Sequence, residues 1–198
     1  GRQAKDSRRR LAWDYGENFS SWYGDWRTTG LITGGRAAAS NVKVVRSKAR
    51  EPVANTTKLA LLSEFPLQGT DEKLLVVNIH GINFVDIETY ASYVNQVERA
   101  IAKHKGPMFM AVDFNGWSEE RWALIEEMGK RVGLTRVTLD GEPASTFGWP
   151  LDGAFVRGLD CNVARVGEQP DSSDHKPLYI EVALRAAETH SDEERAAA

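Results

Sequence analysis

The sequence has one cysteine, Cys161, among 198 residues. A single thiol excludes an intrachain disulfide framework and suits a reducing compartment. The role expected for it is that of a buried structural thiol. Long apolar runs are missing as well. No stretch approaches the ~18 residues of a membrane-spanning helix, and the first residues lack the apolar segment of a signal peptide. A soluble, cytoplasmic protein is therefore expected, with secretion or anchoring left open should a segment precede Gly1. Positive charge is not in excess: 25 Lys and Arg stand against 28 Asp and Glu, a formal net charge of −3. Coating of nucleic acid by bulk electrostatics is thus disfavoured, and only a local basic groove remains open. There is no internal repeat.

What is present is a chain of single-domain size with 41% hydrophobic residues, enough for a continuous core. The stretch from Gly1 to Arg10 holds five Lys/Arg and little to bury, and that from Glu188 to Ala198 is acidic, polar and alanine-rich. Both read as solvated tails, leaving 11–186 as the domain. Within it, Leu59 to Leu62 and Leu74 to Ile79 are short apolar runs separated by a Pro/Gly/Asp turn, which predicts two neighbouring strands. Ile87, Tyr90, Val94, Val97 and Ile101 recur at helical spacing behind Asp86, a suitable N-cap, and Lys105-Gly106-Pro107 ends that segment. Met108 to Val112 is apolar at consecutive positions, as in a strand covered on both faces. Ser118 opens a second helix with Glu119 and Glu120 in its first turn, Lys130 and Arg131 in its last, and Gly133 just beyond. Leu134 to Leu139, Gly153 to Val156 and Leu178 to Leu184 supply further strands. The sum is an α/β (α+β) sandwich with strands inside and helices outside.

Four polar clusters fall at the ends of these strands: Asn78-Ile79-His80, Asp113-Phe114-Asn115, Leu151-Asp152, and Ser172 to His175. Asp113 and Asn115, two residues apart, would share one side of an extended segment, where one orients a water and the other holds an oxyanion. The competing reading of the same residues is an Asx-type turn leading into the Ser118 cap. His175 lies at a loop-to-strand junction beside Asp174, whose charge would favour the protonated ring. Alone, each histidine is as well explained by surface or packing roles. Trp117 and Trp149, close to these clusters, suit cleft-wall packing or stacking on a base or a lipid head.

Taken in order, Val77-Asn78-Ile79-His80, Ala111-Val112-Asp113-Phe114-Asn115, Pro150-Leu151-Asp152 and Ser173-Asp174-His175-Lys176-Pro177-Leu178 resemble the endonuclease/exonuclease/phosphatase superfamily. VVNIHGINF, REP followed by KLALLSEFPL, VDFNGWS and PLDGAFVRGL resemble its YafD-like bacterial branch, from about Thr29 to Leu184. The resemblance implies a DNase I-like four-layer sandwich, two β-sheets flanked by helices, and hydrolysis of phosphoesters with Mg2+ (or Mn2+). It implies that Asp113 activates the attacking water, and that Asn115 and His175 contact the phosphoryl group, with Asp152 orienting His175. By the same token Asp174 lies at the metal, and Asn78 and His80 assist phosphate binding or the leaving group. A nucleic acid, a nucleotide or a phospholipid head group would each supply such an ester.

The family's Asn in a Trp-Asn type motif and the Glu that is its principal metal ligand have no counterpart here, so the resemblance implies a domain lacking its first strands. Glu17 does not match the Glu motif. Such a gap would leave a sheet edge open to a completing strand or to self-association. Loss of the Glu also leaves room for a non-catalytic relative that binds a phosphorylated ligand. Val112 stands where the family has Gly, which predicts local crowding.

Overall fold

The computed structural model of the protein describes residues 11–22, 25–52 and 55–186. The tails expected at 1–10 and 187–198 lie outside the described residues. Strands β1 (Ala12–Trp22) and β2 (Asp25–Gly35) form an antiparallel hairpin. They are followed by β3 (Asn41–Arg46), β4 (Leu59–Pro66), β5 (Lys73–His80), helix α1 (Ile87–Ile101), β6 (Met108–Asp113) and helix α2 (Glu119–Arg131). The chain then makes the two-residue strands β7 (Thr135–Arg136), β8 (Ser145–Thr146) and β9 (Trp149–Pro150), and closes with β10 (Asp152–Arg157), β11 (Leu159–Val166) and β12 (Leu178–Leu184).

The central sheet has six strands in the order β3-β4-β5-β6-β10-β7. Its neighbours are antiparallel except β5 and β6, which α1 connects as a parallel crossover. Both helices bury their apolar stripes on one face of it. Tyr90, Val94, Val97 and Ile101 of α1 and Trp122, Ile125 and Met128 of α2 form one core with Val77, Ile79, Met108, Met110 and Val112. Each fully buried side chain of this size contributes about 1.5–3 kcal/mol. Val112, expected to crowd the backbone, points into this core and is 5% exposed. The other face of the sheet carries the β1-β2 hairpin over β4 and β5. A second apolar cluster there joins Val156 and Leu159 to Ile180 and Val182 of the β11-β12 ladder. No helix among the described residues is long and apolar enough to cross a membrane.

The caps fall where the side-chain chemistry places them. Asp86 accepts the Thr89 N–H at 2.7 Å and Ser118 accepts that of Arg121 at 3.4 Å, while Gly133 takes the left-handed conformation beyond α2 at φ +73°. Two expectations differ from the structure. The strand predicted from Leu134 to Leu139 shrinks to Thr135–Arg136. The segment leaves β10 after Val137 N–H bonds Ala154 O, and Asp140 exchanges hydrogen bonds with Ala164 and Val166 instead, so it crosses from one layer to the other. Cys161 is exposed rather than buried; it sits at a β-bulge between Cys161 and Val163, which breaks the in-out alternation of β11.

Candidate active site

Strand register assembles the site. His80 ends β5, Asp113 ends β6 and Asp152 begins β10, and the ladders pair His80 with Asp113 and Asp113 with Asp152. Three groups distant in sequence therefore stand in one row across adjacent strands, about 4.8 Å apart. His175, from the loop before β12, closes over them. Its Nδ1 lies 2.7 Å from Asp152 Oδ2 and its Nε2 3.9 Å from Asp113 Oδ2. His80 Nε2 is 3.4 Å from the same Asp113 oxygen.

Asn115 arrives by a different route from strand alternation. It has φ +49°, and its N–H bonds Asp113 Oδ1 at 3.0 Å, so the Asx turn is the geometry adopted. The kink carries its amide back beside Gly81, to whose carbonyl Nδ2 donates at 3.0 Å. Oδ1 accepts from Asn83 Nδ2 at 2.9 Å, which fixes the amide orientation and leaves one N–H unspent. Gly81 is required here because a Cβ would clash with the Phe114 carbonyl oxygen. Asn78 shares a face with His80 but donates to Ile32 O on β2 at 3.0 Å. Asp174 is exposed beside His175. Glu17 is exposed on β1.

Electrostatics separate the roles. Burial alone would lower the pKa of His175, but the hydrogen bond and charge of Asp152, then the charges of Asp113 and Asp174, raise it above its ordinary value. His80 moves the opposite way: burial lowers it, Lys58 and His175 add to the effect, and Asp113 opposes. Asp113 and Asp152 are each raised by burial. One imidazole thus favours the proton and the other favours neutrality, beside a carboxylate with heightened proton affinity.

Several site residues carry no assigned role in the sequence reading. Lys58, just before β4, places Nζ 3.1 Å from His80 Nε2 and 3.5 Å from Glu51 Oε2. Glu51 Oε1 in turn accepts the Asn83 N–H at 2.8 Å. Asn83 Oδ1 also accepts Trp117 Nε1 at 2.7 Å, so Trp117 is tied into the wall. Arg121, 2% exposed, donates to Ile82 O, Asn115 O and Val85 O and lies 4.3 Å from both the Tyr90 and Trp117 rings. It clamps the loop after β5 to the loop after β6. The available signal was a lone Lys abutting the apolar run Leu59–Leu62 and an Arg at a core position of α2. At the rim, Phe84 and Phe147 are 65% and 84% exposed and both have positive φ. A cleft of about 530 Å³ opens beside Asp152 between Pro150, Ser145 and Glu142.

The six-stranded sheet with helices on one face and β-hairpins on the other is the DNase I-like fold of endonuclease/exonuclease/phosphatase proteins. One of that family from Bacteroides thetaiotaomicron superposes with a TM-score of 0.68 at 14% identity, covering 88% of this chain and 76% of the other. The mannosyl-6-phosphatase of Bacteroides thetaiotaomicron VPI-5482 does so with a TM-score of 0.63 at 14% identity, covering 87% and 78%. In sequence the chain is similar to a UPF0294 protein of Vibrio campbellii, 35% identical over 184 residues. That match covers 85% of this chain and 64% of the relative, so the chain spans under two thirds of that protein's length. No protein-family model matches the chain.

Proposed function

We propose that the chain is a phosphoester hydrolase in which Asp113, Asn115, Asp152 and His175 act on one phosphoryl group. The observation that carries this reading is the register-built row of His80, Asp113 and Asp152 with His175 closed over it. Asp113, oriented by the Asn115 N–H, accepts a proton from water as the water oxygen attacks phosphorus. The remaining Asn115 N–H donates to a phosphoryl oxygen as its charge grows. His175, held by Asp152 and favoured in its protonated form, points Nε2–H at the ester oxygen, and that proton passes to the leaving group as the P–O bond breaks. Asn78 retains one N–H for the phosphate beside neutral His80.

The residues fit a Mg2+ or Mn2+ ion. Asp113, Asp152 and His175 each offer a ligand atom within 4.8 Å of the others, and Mg2+ needs only one or two protein carboxylates beside water and phosphate. Asp152 would hold it, leaving Asp113 to the attacking water; Asp174, expected at the metal, adds its charge from the adjacent loop. When bound, the ion would neutralise phosphoryl charge. The exposed aromatic rim of Phe84 and Phe147 suits an ester whose far side is planar or apolar, in keeping with a nucleotide, a nucleic acid or a phospholipid head group.

The test is Mg2+- or Mn2+-dependent hydrolysis of an aryl phosphodiester and an aryl phosphomonoester by the protein and by His175→Ala. Turnover abolished in the variant and by chelator supports the reading; turnover equal in both sinks it. A second reading, completion by a strand from another segment or copy, draws on the separate β1-β2 and β11-β12 ladders and on exposed Trp13, Tyr15 and Ile32. A concentration-independent monomer in light scattering would count against self-association.

A further inference from the structure

Lys58 stands one residue before β4, which continues the row of site residues on the side of His80 away from Asp113. Leu59 pairs across the ladder with His80 by the same register, so Lys58 falls beyond the strand end, level with the mouth of the site. Its side chain is 17% exposed and that of Glu51 6%. A lysine drawn this far from water needs partners, and two are present. Glu51 Oε2 lies at 3.5 Å and His80 Nε2 at 3.1 Å. An ammonium has three N–H donors, so one is left over among the described residues.

The counter-ion is itself held. Glu51 accepts the Asn83 backbone N–H through Oε1, and Asn83 bonds Asn115 through its amide. Lys58 and Asn115 are therefore positioned by one connected network, although they approach the site from opposite sides of His80. Two other cations near the site are committed. Arg121 spends its guanidinium on three carbonyls, and Lys176 donates to Glu142 O at 2.8 Å.

We propose that Lys58 is a phosphate-binding residue of this site, its free N–H meeting a phosphoryl oxygen on the His80 side while Glu51 holds the ammonium in place. The assignment rests on the phosphoester reading for its catalytic consequence, but not for phosphate binding itself. A standing charge fixed before substrate arrives is the arrangement that stabilises spreading negative charge without reorganisation. The His80 ring nitrogen facing Lys58 is placed to accept an ammonium proton. A purely structural salt bridge would contribute little to stability in such a position and would have no reason to abut His80.

The experiment uses the unmodified protein with lysine labelled at Nζ, titrated with inorganic phosphate, and compares Lys58→Met and Lys58→Arg. The expected result is a saturable shift of the Lys58 resonance. Phosphate binding should weaken about tenfold or more in Lys58→Met, and kcat should fall about 100-fold with KM changing less. Lys58→Arg should recover part of both. A Lys58 resonance unmoved by phosphate overturns the proposal whether or not the variants fold. So does a folded Lys58→Met that binds phosphate and turns over within about threefold of the parent. Phosphate binding that depends on Lys58 in a protein that hydrolyses no ester would uphold this assignment and sink the hydrolase reading instead.

Discussion

Replacing Arg121 by methionine removes the clamp while keeping an unbranched stem in α2. The guanidinium donates at 2.9–3.1 Å to the carbonyls of Val85, Ile82 and Asn115 and lies between two aromatic rings. Each buried carbonyl left without a donor costs about 1 kcal/mol at the low end of the usual range, and the two cation–π contacts add about 1 kcal/mol together. The expected destabilisation is about 4 kcal/mol, a fall in Tm of roughly 8–16 °C for a chain of this size. Lysine at the same position keeps the charge but cannot span three carbonyls, so about half the loss is expected. Thermal and urea unfolding measure both variants. Arg121→Met unfolding within about 1 kcal/mol of the parent would refute the clamp. Because the clamp joins the Asn83 and Asn115 loops, phosphoester turnover should drop further than stability, measured at a temperature where the variant is folded.

Gly81→Ala places a methyl against Phe114 O and should cost about 3 kcal/mol in chemical denaturation, overpacking against backbone being hard to relax; parental stability would show the two loops are free to separate. Tyr90 donates its hydroxyl to Phe114 O at 2.8 Å, whereas the buried Tyr93 hydroxyl has no partner among the described residues. Tyr90→Phe should therefore lose about 1 kcal/mol and Tyr93→Phe should be neutral or stabilising by a similar amount. The opposite order in thermal unfolding would contradict the assigned hydrogen bonds. Glu98 receives Arg131 at 2.8 and 2.9 Å, and that hydrogen bond holds its carboxyl below the usual pKa. A depressed carboxylate stabilises the fold above its unfolded pKa and stops doing so as pH falls through the folded value. The Tm difference between parent and Glu98→Gln should thus be largest near neutrality and fade as pH drops through and below the ordinary carboxylate range; a difference that grows on acidification would reverse the sign of the argument.

Legibility followed locality. The boundaries and caps of α1 and α2 were readable because Asp86, Ser118 and Gly133 act within a turn of their own positions, and the apolar stripe of α1 repeats within a few turns. Likewise β4, β5, β6 and β12 were readable as apolar runs. Strands β1, β2, β3 and β11 were mostly not. Their Gly-rich or polar sequences gain strand geometry from the ladder partner rather than from their own periodicity. The Asp113/Asn115 pair shows the limit at the site itself. An extended segment and an Asx turn were both compatible with the string, and the choice fell to the turn because Gly81 and Asn83, more than thirty residues away, hold the Asn115 amide while Arg121 on the next helix holds its carbonyl.

The sequence by itself determined which side chains can do chemistry, where the helices begin and end, and that a domain-sized apolar core would form. Only the tertiary structure decided that His80, Asp113 and Asp152 stand side by side, that His175 meets Asp152, and that Lys58 faces His80 with Glu51 behind it. Each of these is a contact between strands or loops far apart in the chain. Strand register is set by long-range pairing, and a shift of one residue in its strand would turn His80, Asp113 or Asp152 to the opposite face.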